Sequence, residues 1–532
     1  MGGAGFAIVC CHMNNVFLRT LIIYTACVVL AIWLGFMLAG PLTYSSLFVY
    51  GTLAFLLFLP VLLRWHFPLL LFCWNFSAVA IFVPGRPSVG LAMIFLSLGI
   101  SVVQRMISRE HQFIRVPQIT IPALCLLGVV AFTAKMSGFG LRVFGNGLYG
   151  GSKYVYLIGG ILGYFALSAQ RIPPERRNLY LGLYFLGGVT AAIGDLVSYL
   201  PPSFYSIYWF FNPYSFQQSV GVSEHITRLN GTMLASLGIV SFMLARYGLR
   251  GIFLSRKPWR WIVLVLVMGC GLLGGYRGFA MTLALILMIQ FFLEGLHRTK
   301  LLTFFLSAGL VVALALIPLL SHLPLGIQRA LSFLPYNVSL EAKLDAQGTL
   351  DWRLNMWQAL LPQIPQYLLL GKGYNINPLD YEFVMGPDAA IHSAFAQNDA
   401  LALAESFHNG PISVLIPFGI WGAIGFLWLV LAGLRVLHLN YRYGDADMKT
   451  INSLLLAVFA AHVIMFLFIG GDFSSDSMSF FGVLGLSVAF NGGVRRSVRV
   501  MQPVAETATR GRFIQTPRQP APAFQRRLPG TR

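Results

Sequence analysis

Charge is what this chain has least of. Only 10% of its 532 residues are Asp, Glu, Lys or Arg, against about 25% in an ordinary soluble domain, which excludes a water-soluble globular protein. Acids are scarcer than bases, 18 against 37. Few lie within apolar runs, chiefly Asp195 at the outer end of one, and a proton-coupled transporter would bury more ionisable groups. No Walker phosphate loop is present, which argues against an ATP-driven pump. Cysteines number six. Cys27, Cys73, Cys125 and Cys270 sit in or beside apolar runs, and Cys10 and Cys11 lie near the N-terminus. None falls in the long polar segment, so no disulfide framework supports it. Strict apolar/polar alternation is absent, so strands and a membrane barrel are not expected. The first apolar run, after Arg19, is too long for a signal h-region and reads as a span.

What the chain has instead is apolar runs of about 20 residues, the length that crosses a bilayer core. Fourteen candidates fall near 20–39, 45–63, 67–83, 89–104, 119–134, 154–169, 179–199, 231–247, 259–273, 278–295, 301–320, 411–434, 450–470 and 477–491. The expected fold is all-α, a polytopic membrane bundle of about 12–14 spans with one long extracytoplasmic loop carrying short helices. With the N-terminus in the cytoplasm, 27 of the 37 basic residues fall inside, as the positive-inside rule requires. Residues 1–320 then form about eleven spans, 321–410 an external loop, and 411–491 about three more spans. Residues 492–532, rich in arginine and proline, are expected to be a disordered basic cytoplasmic tail. The net charge of +19 thus reflects topology and contact with anionic membrane lipids rather than nucleic acid.

The external loop holds eight of the eighteen acids and is long enough to be functional. His408 is followed by Asn409, Gly410 and Pro411, and Pro favours the first helical turn. His408 therefore precedes a helix N-terminus at the outer membrane edge, where the helix dipole favours neutral imidazole and attracts phosphate oxygens. It serves as a proton acceptor or satisfies a loop hydrogen bond. Arg353 lies in DWRLNMWQALL, a short amphipathic piece expected on the membrane surface with Trp352 and Trp357 toward lipid or bundle. It suits bidentate phosphate binding or lipid headgroups. Arg277, in a Gly-rich outer turn, and Arg228, just before the eighth span, call for partners or are snorkelling anchors. Asp380, Glu382, Asp388, His392, Asp399, Glu405 and His408 share one loop but show no recognised ligand spacing, so no metal is assigned.

These residues carry a resemblance. His408-Asn409, followed at a distance by Gly419 and Gly422, is similar to the signature of the O-antigen ligase and polymerase family. Arg353 with Pro365 and the LLGKG run resembles that family's R…P-L-L-G-x-G segment. The YRG at Tyr276–Gly278 resembles its S/T-R-G turn, and RLNG from Arg228 resembles its R-x-x-G element. The chain departs from the pattern at Pro417, where a glutamate is usual, at Gly410-Pro411 after the HN pair, and at Tyr276 in place of a small hydroxyl residue. The resemblance implies a metal-independent, inverting glycosyltransferase of the bacterial cytoplasmic membrane, with no cofactor and its active site on the outer face. The donor would be a glycan on undecaprenyl diphosphate and the acceptor a lipid or glycan, as in lipopolysaccharide, O-antigen or exopolysaccharide synthesis. Arg277, Arg353 and Arg228 would hold the diphosphate, and His408 would act on the acceptor hydroxyl. The alternative class is a polytopic glycolipid flippase or exporter, which would place charged residues through the middle of several spans.

Overall fold

The computed structural model describes residues 44–83, 85–108, 112–141, 150–211, 215–217, 227–334, 338–376 and 407–496, with a few positions between 24 and 36. Among these, nine helices are long and apolar enough to cross a membrane, and Trp259–Leu272 and Arg277–Leu293 are shorter apolar helices. The chain is an all-α polytopic membrane bundle. Most of the expected first span, most of the basic tail, and Asp380, Glu382, Asp388, His392, Asp399 and Glu405 lie outside the described residues.

Two expected spans, 45–63 and 67–83, are one element, α1 (Tyr44–Trp74), which runs unbroken through Pro60 and Pro68. Neighbouring helices and local adjustment let apolar helices carry proline. In its last third, His66 bonds Ser97 Oγ at 2.9 Å and Gln104 at 3.3 Å. Ser97 and Gln104 belong to α2 (Val89–Ile107). Ser88 caps α2 by accepting from the Leu91 amide at 3.2 Å. Then follow α3 (Pro117–Ser137) and α4 (Gly151–Leu167). The expected span 179–199 is one helical span, Pro174–Val197, in which a 3-10 turn at Gly187–Thr190 joins α5 (Arg177–Leu186) to α6 (Ala191–Val197). A two-stranded antiparallel ribbon, β1 (Ser215–Gln217) and β2 (Thr227–Leu229), pairs Phe216 with Arg228. Uniformly apolar spans gave no hint of it.

From β2 the chain enters α7 (Asn230–Phe253), α8 (Trp259–Leu272), α9 (Arg277–Leu293) and α10 (Leu301–Leu319). The polar loop then supplies α11 (Leu325–Ala330), α12 (Leu340–Leu360) and α13 (Ile364–Tyr367). α12 is longer than the short amphipathic piece expected around Arg353. Ser339 starts it by accepting from the Ala342 amide at 3.3 Å. The closing elements are α14 (Gly410–Tyr443), α15 (Lys449–Phe468) and α16 (Phe473–Asn491).

The core forms where α4 packs along α16. Side chains such as Tyr154, Tyr164, Phe459, Phe480 and Phe481 are fully buried there. A Cβ on Gly160 of α4 would come within 2.8 Å of Ser477 Oγ on α16. Small residues at such crossings let membrane helices approach closely.

Candidate active site

The site begins with a broken helix. α14 departs from helical geometry at Gly419 (φ 64°, ψ −161°), a region that strains any residue with a Cβ. The break frees backbone groups of α14, and the LLGKG run uses them. Lys372 N donates to Ile416 O at 2.8 Å, Gly373 N to Pro417 O at 3.0 Å, and Ile420 N to Leu368 O at 2.7 Å. A Cβ on Gly371 (φ 70°) would collide with the Pro417 carbonyl, and one on Gly419 would lie 2.6 Å from Leu368 O. Two motifs 50 residues apart in the chain are therefore one interlocked unit. Pro417, where the family pattern has an acid, gives its carbonyl to this lock.

That unit aims the first turn of α14. Asn409 caps it, its side chain accepting from the Ile412 amide at 3.1 Å. A Cβ on Gly410 would run into the Phe466 carbonyl, so the Gly-Pro after the HN pair seats the turn against α15. His408 sits just before the cap with a positive φ of 46°, a strained geometry for a residue with a side chain. Its ring meets Trp352 edge-on, 5.4 Å between centroids. Trp357 Nε1 donates to the Phe407 carbonyl at 2.9 Å. Both tryptophans thus turn toward the bundle. Met356 and Leu360 of α12 pack with Phe407, Ile412 and Ile416, which fastens the Arg353 helix to the His408 turn.

Burial, and then the Arg353 guanidinium, push His408 below the ordinary histidine range. Asp472 opposes this and Lys153 adds to it. Neutral imidazole was expected from the helix dipole, and burial leads among the causes found. Lys153 and Asp472 pair at 3.8 Å. Arg353 is held below the usual guanidinium value by burial, then by Arg277 and Arg329. A guanidinium stays charged regardless, so the shift measures how unfavourably that charge is housed. Its Nε is buried without a hydrogen-bond partner among the described residues.

Arg277 opens α9, and its Nη2 donates to the Ala346 carbonyl of α12 at 2.8 Å. Arg228, 6% exposed, reaches Asp345 Oδ2 at 3.2 Å and lies 5.7 Å from the centre of the Tyr276 ring. Its Nε, too, is buried and without a partner among the described residues. The Tyr276 hydroxyl accepts from Asn230 Nδ2 at 3.1 Å, so the tyrosine keeps a hydroxyl at the turn and adds a ring for Arg228. Asp195 caps α7, its Oδ2 accepting from the Thr232 amide at 2.6 Å and hydroxyl at 3.0 Å.

The structure thus brings Arg228 and Arg277 onto the first half of α12, two turns before Arg353 on the same helix, with His408 beside Arg353. Sequence reading missed two members. Arg329 of α11 and Asp345 of α12 form a buried ion pair. The clue lay in spacing: Asp345, Thr349 and Arg353 recur every four residues, one face of a helix, once α12 is extended upstream. A cavity of about 280 Å³ opens elsewhere, between Arg171, Arg177, Asp445 and Asp447.

The family model described as O-antigen ligase matches residues 262–427. This segment is similar to the O-antigen ligase family. It contains Arg277, Arg329, Asp345, Arg353 and His408, while Arg228 falls before it. No curated protein sequence matches the chain. The matched segment thus contains the helices that carry Arg277, Arg329, Asp345 and Arg353 and the turn at His408, and the match supports a membrane function of the O-antigen ligase or polymerase type.

Proposed function

We propose that this protein transfers or polymerises a glycan carried on undecaprenyl diphosphate, at the outer face of the bacterial cytoplasmic membrane. One observation carries the reading. Arg353, with a buried unpartnered Nε and its charge crowded by Arg277 and Arg329, stands next to a histidine held neutral at a helix N-terminus. A diphosphate would relieve that crowding through charge-assisted hydrogen bonds.

In the proposed step, the acceptor hydroxyl oxygen attacks the anomeric carbon as its proton passes to His408. The bond from that carbon to the diphosphate oxygen breaks, and the electron pair leaves with the diphosphate. Attack opposite the leaving group inverts the anomeric centre. Arg277 and Arg353 meet the charge that develops on the leaving oxygen, and fixed donors placed where charge appears are typically the largest catalytic term. The diphosphate linkage is already activated, so no nucleotide or other cofactor is required. Activity is expected to persist in chelator.

The test is transfer from a purified undecaprenyl-diphosphate glycan to acceptor by the extracted protein. Transfer with inversion, abolished by Arg353→Gln, supports the reading. Wild-type protein that moves the glycolipid across a bilayer and forms no glycosidic bond would overturn it.

A further inference from the structure

Arg329 and Asp345 carry no step in the proposed transfer, yet between them they touch the turn leading into Arg277 and the helix that bears Arg353. Arg329 is 3% exposed. Its Nε donates to Asp345 Oδ2, its Nη1 to the Gly275 carbonyl, and its Nη2 to Thr349 Oγ1 at 3.2 Å. Gly275 lies two residues before Arg277. Thr349 lies one helical turn before Arg353. Asp345 lies one turn before Thr349 and also receives Arg228. The next residue, Ala346, receives Arg277. Every nitrogen of Arg329 is engaged in holding protein groups.

Arg277 and Arg353 come from different helices, so no local covalent geometry fixes the distance between their guanidinium groups. Like charges also drive them apart. Something must set that distance, because a misplacement of about 1 Å can cost on the order of 10²-fold in rate. The rigid guanidinium fork of Arg329 bonds on one side the backbone leading into Arg277, and on the other the face of α12 that bears Arg353. Lysine, with a compact ammonium and no fork, does not reproduce this geometry.

We propose that Arg329 and Asp345 are a positioning pair for the donor diphosphate. Asp345 is the internal counter-anion that holds Arg329 and Arg228, and Arg329 sets the spacing of Arg277 and Arg353, the two groups that meet the phosphates. This rests on the donor assignment above. It also divides the arginines by role, with Arg228 held by Asp345 and acting through it.

The experiment uses the full chain in lipid nanodiscs, with undecaprenyl diphosphate as the binding probe. Donor KM, acceptor KM, kcat and probe Kd are measured for wild type, Arg329→Lys, Asp345→Asn, Asp345→Glu and Thr349→Val. Arg329→Lys and Asp345→Asn are expected to raise donor KM and probe Kd by about tenfold or more while acceptor KM stays within about twofold. Asp345→Glu, which keeps a carboxylate, recovers most of the loss. Thr349→Val removes one bond from Arg329 and leaves the ion pair, so it shifts the same two constants by about two- to tenfold. Unchanged donor-side constants in Thr349→Val overturn the proposal. So does a loss in the other variants that falls equally on donor and acceptor, in proportion to unfolded protein. Failure of the donor assignment would appear in the wild type, as absent transfer. Failure of the positioning role appears only in the variants.

Discussion

Two buried polar networks hold this bundle, and they are built differently. One joins α14, α15 and α16 through amides. Asn452 Nδ2 donates to the Asn440 carbonyl at 2.9 Å and to Asn491 Oδ1 at 3.0 Å, and Asn491 Nδ2 returns a bond to Asn452 Oδ1 at 2.8 Å. Asn440 bonds Ser487 Oγ at 3.1 Å and accepts from the Arg495 amide at 2.9 Å. It is neutral, and each of these side-chain groups has a partner. The other joins α9, α11, α12 and β2 through charges. It is strongly cationic among the described residues, and Arg228 and Arg353 each keep a buried Nε without a partner. A saturated neutral network serves the fold alone. One that keeps like charges together and donors unmet serves something that binds there.

The comparison breaks most visibly at His408. His408→Ala is expected to lower turnover by roughly 10²–10⁴-fold, as for loss of a general base, with undecaprenyl-diphosphate binding retained. Turnover and binding measured side by side check this. Next come the fork arginines. Arg277→Lys and Arg353→Lys keep charge and lose bidentate geometry, so each should cut kcat/KM by roughly 10²-fold in steady-state kinetics, whereas a simple charge requirement would leave them active.

The amide network should answer in the opposite way. Asn452→Ala leaves buried partners unmet, costing about 1–3 kcal/mol of stability. The folded fraction should keep wild-type kcat, read by thermal unfolding and kinetics on the same sample. The smallest expected effect is in pH. A base of lowered pKa stays active on acidification until pH falls through that lowered value, so the acid limb of kcat should lie below about pH 6.5. Removing a cation that lowers the pKa moves the limb up, and removing the opposing acid moves it down. Lys153→Met should therefore shift the limb upward and Asp472→Asn downward in a pH–rate profile.

Much of this was legible in the sequence. Span length and apolar continuity gave the fold class, because the bilayer sets both. Pro411 gave the start of α14, since only the first turn accepts proline freely. Arg277 and His408 stood out as polar groups at expected helix ends, and Arg353 as a base within an amphipathic piece. The misses share a cause. The expected break between 45–63 and 67–83 did not occur, because Arg64 and two prolines do not end an apolar helix. Arg329 and Asp345 looked like ordinary loop charges, because their meaning depends on α11 and α12 packing under the turn before α9. No local pattern encodes that packing. The glycines of LLGKG and of the α14 break were visible as a motif, and only their backbone lock shows why they are glycine.

The central claim is that Arg353 and His408 serve one transfer step, the arginine binding the donor diphosphate and the histidine moving the acceptor proton. The most direct measurement compares wild type, His408→Ala and Arg353→Gln in one assay. Transfer from undecaprenyl-diphosphate glycan is followed together with binding of undecaprenyl diphosphate. The account predicts that His408→Ala binds normally and turns over slowly, while Arg353→Gln loses binding and turnover together. Near-normal turnover in His408→Ala, or unchanged binding in Arg353→Gln, would contradict it.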